Sequence, residues 1–346
     1  MTQGAARIPK SRRLSGEAMS LATRRAYHGF LRHRGIDSAA TLSFFAALAL
    51  FPASLSVVSL FALLDTRTRA VTDILTIVGS VAPKDTVVAI RGPLSQLVTL
   101  PNPQLALGVG IVLTLWTLSG YLAAVGRAID LAYDVLEGRQ WVLLRSTAML
   151  ISAVLMITAG VILVLLIGTP TIASAVARYL GIAPGWVTLW NIAKWPVLAA
   201  LATFIVAILY YYSPNVHHLR IRWVSWGALL TIVAWILTTI GFAVYVLNVS
   251  HYNKYYGWLG GAVVLLLWLY LSNYVLVFGA EVDAEIVRVR QLESGIASED
   301  VIQVPLRSTH RNLILARNLA DDIQRGRRLR QDADDKRARD DPGELS

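Results

Sequence analysis

Cysteine is absent from these 346 residues, which excludes disulfides, thiolate metal sites and cysteine nucleophiles. Charge is scarce as well. Asp, Glu, Lys and Arg make up 16% of the chain, against about 25% in a soluble domain, and they collect at the two ends and in short connectors. No glycine-rich loop ends in Gly-Lys-Ser/Thr, so nucleotide hydrolysis is not expected. Six histidines (His28, His33, His217, His218, His251, His310) are scattered without a His-x-His-x-Asp or His-Glu-x-x-His cluster. The adjacent pair His217-His218 would point its rings to different sides of a helix or strand. Neither a catalytic constellation nor a metal or cofactor site is expected.

What is abundant is apolar. Hydrophobic residues form 55% of the chain and the mean hydropathy is +0.54. A helix needs about 20 apolar residues to cross roughly 30 Å of hydrocarbon. Reading between ionisable residues predicts six such spans, at about 38–64, 104–126, 145–168, 186–212, 223–247 and 257–281. Pro93, Pro101 and Pro103 break the approach to the second, Thr169-Pro170 ends the third, and Ser213-Pro214-Asn215 stops the fourth. Each run is apolar all round, so lipid or other spans must surround it. Several of the ten Trp and thirteen Tyr flank the runs, as an interfacial aromatic belt does.

Orientation follows from Lys and Arg. The leader before the first span holds eight and the tail after the last holds twelve, with Arg127, Arg139, Arg145, Arg220 and Arg222 at the even connectors. The odd connectors hold six: Arg67, Arg69, Lys84, Arg91, Arg178 and Lys254. This predicts both termini in the cytoplasm. The organisation expected is a basic leader (1–37), a six-span membrane domain (38–290) and a polar, largely disordered tail (291–346). Glu17–Arg34 reads as an amphipathic helix on the inner surface, with Leu21, Tyr27, Phe30 and Leu31 near one side. The connector Asp65–Pro103 holds two apolar pieces too short to cross, read as interfacial or re-entrant helices on the outer side. The leader has no cleavable signal pattern. The net charge of +10 fits anionic headgroups beside the spans better than nucleic acid, so lipids are the expected partners.

Several stretches resemble the YihY/BrkB membrane proteins, a family long mislabelled as a ribonuclease. They are Ala39-Ala40-Thr41-Leu42-Ser43-Phe44-Phe45 with Leu50-Phe51-Pro52, then Leu115-Trp116-Thr117-Leu118-Ser119-Gly120-Tyr121 with Arg127-Ala128. Next come Tyr133-Asp134-Val135-Leu136-Glu137-Gly138-Arg139 and Tyr210-Tyr211-Tyr212-Ser213-Pro214-Asn215. The last are Tyr252 to Gly261, Leu265 to Tyr270 and Phe278 to Glu285. The likeness runs in order over about residues 24–290. It implies a six-span protein of the cytoplasmic membrane and, through members linked to envelope integrity and lipid export, a role of that kind. The residues themselves give the ribonuclease label no support.

The candidate site residues are few. Asp37, Arg127 and Glu281 share one depth at the cytoplasmic face, where Arg127 pairing with Glu281 or Asp37 would form a gate; boundary charges solvated by headgroups are the plain alternative. Glu281 and Glu285 lie four apart, with Arg288 as a structural partner for Glu285. Lys194, inside the fourth span, either faces a polar cavity or snorkels outward past Trp186, Trp190 and Trp195. Tyr245, Asn248, Tyr252, Asn253, Tyr255 and Tyr256 at the fifth connector could contact a headgroup or simply form a belt. Gly257 and Gly261, with Gly260 beside them, have close-packing spacing, and Gly120 is grouped with them. Pro52 would kink the first span.

The expectation is therefore an all-α polytopic membrane protein that translocates a lipid or other amphiphile, or assists its export. A non-transporting envelope scaffold and a membrane-embedded lipid-modifying enzyme are the competing readings.

Overall fold

The computed structural model describes residues 14–63, 102–167, 184–216, 226–248 and 258–340, together with Ala173, Ser174 and Ala177. The described residues form eight named α-helices: α1 (Gly16–Arg32), α2 (Gly35–Leu63), α3 (Pro103–Ala132), α4 (Trp141–Ile167), α5 (Pro184–Tyr212), α6 (Trp226–Asn248), α7 (Trp258–Leu292) and α8 (His310–Asp340). Six of them, α2 to α7, are long and apolar enough to cross a membrane. An uninterrupted helix is the form such apolar runs must take, because it satisfies its own backbone groups away from water. The pattern was readable in the sequence because no run shows a polar stripe.

The spans alternate in direction and close a ring, each touching the next and α7 returning to α2. All side-chain contacts between α1, the α3–α4 turn, the end of α5 and the end of α7 fall at one end of the ring, here termed proximal. The tightest pair is α2 against α3. There Gly110 presses on Ser56 and on the Pro52 carbonyl, an approach that only a residue without Cβ permits. Pro52 lies inside α2, and the Ser56 hydroxyl donates to its carbonyl at 3.0 Å.

Two limits differ from the sequence reading. The sixth span was ended at 281, but α7 continues to Leu292. Its further charges (Asp283, Glu285, Arg288) are buried in protein, so they extend the helix rather than terminate it. The tail expected to be disordered from 291 is folded instead. Residues 296–308 cross the proximal end with Ile302 buried, and α8 follows, exposed apart from half-buried Asn312 along the length whose side chains are described. Polarity misled there because the segment is held largely by hydrogen bonds to backbone, with only Ile302 and Val304 of it joining the apolar core among the described residues. The expected helices of Asp65–Pro103 fall almost wholly outside the described residues.

Candidate functional site

The proximal end carries a buried charge network built from four chain segments. Helix α1 begins on the Ser15 hydroxyl, which accepts from Ala18 N at 3.1 Å. Its Ala18, Ala22 and Ala26 recur every fourth residue, and this smooth stripe packs against Val282, Ile286 and Val289 of α7. Phe30 closes the contact edge-on against Tyr274 and Phe278. The amphipathic reading of this helix thus divides: Phe30 is buried, whereas Leu21, Tyr27 and Leu31 face outward.

Two sharp turns aim side chains at α7. Arg34 and Asp134 both adopt left-handed backbone (φ 54° and 55°), at the α1–α2 corner and just after α3. His33 consequently bridges two carboxylates, its Nδ1 2.8 Å from Glu281 Oε1 and its Nε2 3.1 Å from Asp134 Oδ1. Only the imidazolium can donate from both nitrogens. The hydrogen bond to Glu281 and the charges of Glu281 and Asp134 raise the His33 pKa above its usual value, against the opposing effect of burial. Gly29 leaves room for this, since a Cβ there would meet Glu281 Oε2.

Arg288, wholly buried, continues the chain. It donates from Nη2 to Asp134 Oδ2 (2.7 Å), from Nε to Glu285 Oε1 (3.1 Å) and from Nη1 to the Ser298 carbonyl (2.9 Å). Arg25 reaches Glu285 Oε2 at 3.0 Å. The Tyr133 hydroxyl, its pKa raised by burial and then by Asp283, donates to Asp283 Oδ2 at 3.3 Å. Removing one partner from such a buried assembly is costly, which favours a single sealed arrangement.

A second hub lies beside it. Asn215, fully buried, donates its N–H to Asp130 Oδ1 (2.7 Å) and its side-chain amide to the carbonyls of Leu136 and Ser308. It accepts from Ser308 N through its side chain and from Arg307 N through its carbonyl. Arg139, paired with Glu137, donates to the Ser213 carbonyl, and Gly138 abuts the Ser308 carbonyl. The tail thereby straps the ends of α3 and α5.

The residues singled out from sequence distribute unevenly. Glu281 is in the network, but its partner is His33. Arg127 and Asp37 are exposed, and among the described residues neither pairs with Glu281 or with the other. Gly120 faces Phe45 on α2. Gly260 is buried, while a Cβ on Gly261 would meet open space. Lys194 lies half-buried with its ammonium 5.7 Å from the Trp195 ring centre. Tyr252, Asn253, Tyr255, Tyr256 and Gly257 lie outside the described residues, as does the side chain of Asn248. Sequence reasoning missed His33, Asp134, Asn215 and Arg307. For Asp134 and Asn215 the available signal was their place in Tyr133 to Arg139 and Tyr210 to Asn215, two of the stretches that carry the family resemblance; His33 and Arg307 had none. Among the described residues no group of three or more His, Asp and Glu is placed to hold a metal.

Comparison with known proteins finds membrane proteins among the relatives of this chain. The sequence is 28% identical over 260 residues, 75% of this chain and 93% of the other, to the putative ribonuclease-like protein YfkH of Bacillus subtilis. It is 42% identical over 86 residues to a UPF0761 membrane protein of Alteromonas mediterranea, and 32% identical over 96 residues to one of Xanthomonas oryzae pv. oryzae. Those two matches cover 25% and 28% of this chain, and 28% and 23% of the relatives. No solved structure matches. The sequence model for virulence factor BrkB matches residues 26–301, from within α1 to the strap, and the chain belongs to that family of membrane proteins.

Proposed function

We propose that this protein translocates a lipid or other amphiphile across the cytoplasmic membrane, or assists its export, with both termini in the cytoplasm. The observation that carries this reading is the uneven burial of α5 and α6. Among the described side chains, only Ile208, Leu209 and Tyr210 are buried on α5 and only Gly227, Ala228 and Thr231 on α6, all near the proximal end. The two helices are tied there by the Tyr210 hydroxyl, 2.8 Å from the Thr231 hydroxyl and bonded to the Leu276 carbonyl. Beyond that clasp both present apolar surface with a few polar groups inside it, including Asn191 Oδ1 and Thr239 Oγ1, which have no hydrogen-bond partner. A bundle sealed at one end and loosely packed towards the other offers an amphiphile a lateral entrance.

The test is reconstitution into liposomes containing a trace of headgroup-labelled phospholipid, followed by the fraction of label that an impermeant reductant can reach. Faster loss of the protected fraction than in protein-free liposomes is expected, and identical kinetics would sink the proposal. The scaffold reading draws on α8, a 31-residue helix exposed, apart from half-buried Asn312, wherever its side chains are described. Under that reading, deletion of α8 abolishes the cellular role while transbilayer movement stays at the protein-free rate.

A further inference from the structure

Arg145 breaks the pattern of the other proximal cations. It lies four residues into α4, about 6 Å from Trp141 at the start of that helix, so a snorkelling side chain has a short path to water. It turns the other way. Its Nη2 donates to the Trp116 carbonyl at 3.0 Å, and its guanidinium carbon lies 4.1 Å from the centre of the Trp116 ring. Trp116 is thirteen residues from Pro103 and sixteen from Ala132, so the cation is held near the middle of α3, about 20 Å from its start. The direction is fixed by neighbours: Leu122 and Ala123 share one small cavity with Leu144 and Thr147, which places Trp116 about 9 Å further from the proximal end.

This arginine has no carboxylate partner among the described residues, unlike Arg25, Arg32, Arg139 and Arg288. Its Nε is enclosed without an acceptor, and only one of its five N–H groups has a protein acceptor. Gly120 keeps the space beside it clear, since a Cβ there would touch Phe45 at 3.3 Å and stand 3.8 Å from Arg145 Nη1. The Trp116 ring is half-exposed, so the stacked pair stands at an open face of α3 and α4 rather than in a closed core. A lone guanidinium at hydrocarbon depth is costly unless an anion joins it, and its planar fork matches phosphate oxygens.

We propose that Arg145, stacked on Trp116, is a binding site for the phosphate of a phospholipid lying against α3 and α4. The proposal rests on the transport reading for its purpose, and on the geometry alone for its occupant. Phosphate is the occupant of choice because its oxygens accept from the guanidinium fork while the two acyl chains it carries lie along the apolar faces of α3 and α4.

The experiment measures lipid retained by the full chain in detergent micelles, by native mass spectrometry, after incubation with phosphatidylglycerol, diacylglycerol of the same chains, or sodium oleate. Retention of phosphatidylglycerol should exceed that of diacylglycerol by about tenfold or more. Arg145→Gln should bring it down to the diacylglycerol level, and Arg145→Lys should leave an intermediate value, because a point charge replaces the fork. Should Arg145→Gln fail to elute as a folded species, Trp116→Leu takes its place with the same expected loss. Unchanged phosphatidylglycerol retention in these variants, or displacement of phosphatidylglycerol by oleate at equal concentration, overturns the assignment. Retention that depends on Arg145 without transbilayer movement in liposomes would leave the site standing and the transport reading refuted. Transbilayer movement in liposomes together with phosphatidylglycerol retention unchanged by Arg145→Gln would do the reverse.

Discussion

His33 Nδ1 lies 2.8 Å from Glu281 Oε1, and this contact joins the first turn of the molecule to its last membrane helix. Because Asp134 occupies the other ring nitrogen, the bridge is complete only when the imidazole carries a proton.

A pH dependence follows, with a definite sign. The folded His33 pKa is raised above 6.5, so its contribution to stability is fully present below that value and is lost as pH rises through the raised one. Thermal unfolding of the detergent-solubilised protein should show a falling midpoint across that window. His33→Gln should flatten this slope, and an unaltered slope would remove His33 from the explanation.

Arg288 is the residue whose loss should cost most. Arg288→Met leaves Asp134 and Glu285 short of a cation in a buried setting, worth about 3–5 kcal/mol. Reduced yield of monodisperse protein and a markedly lower midpoint are expected, and a midpoint unchanged within error would argue that water replaces the guanidinium.

Asn215 tests the strap. Asn215→Ala strips the carbonyls of Leu136 and Ser308 and the Ser308 N–H of their partner, a loss of about 2–4 kcal/mol. Limited proteolysis should then cut between 296 and 310 faster than in the parent. Equal cutting rates would mean the tail is held elsewhere.

Gly138 has no space for a side chain, because a Cβ would run into the Ser308 carbonyl. Gly138→Ala should destabilise by about 1–3 kcal/mol through forced separation of the strap, again read as faster cleavage there.

Arg127→Glu, by contrast, should shift the unfolding midpoint little, within about 0.5 kcal/mol, since Arg127 is exposed and unpaired among the described residues. Rescue of a Glu281→Arg defect by Arg127→Glu would contradict the geometry and restore the gate expected from sequence.

The six spans were legible because each rests on a property summed over twenty residues, where single errors average out. The network was not. His33 stands in a basic leader and Asp134 in a loop, and both look like surface groups. Their approach to α7 depends on left-handed turns at Arg34 and Asp134, and neither position carries the glycine that usually marks such a turn. Glu281 was found by its depth and given the wrong partner for the same reason: charges at equal height along a bundle are many, and only packing chooses among them. The tail defeated a polarity argument because backbone carbonyls at Asn215, Val216 and Gly138 supply its anchors, and these have no signature in residue type.

The alanine stripe of α1 lies on α7, so the earliest described helix finds its seat only after nearly 250 further residues have been made. During synthesis that seat does not exist, and α1 must wait beside the emerging spans with its small-residue face uncovered. Contacts of such long sequence separation close slowly. Completion of the fold is therefore an event of the finished chain, and a ribosome stalled before residue 282 would release a product whose opening segment has nothing to hold.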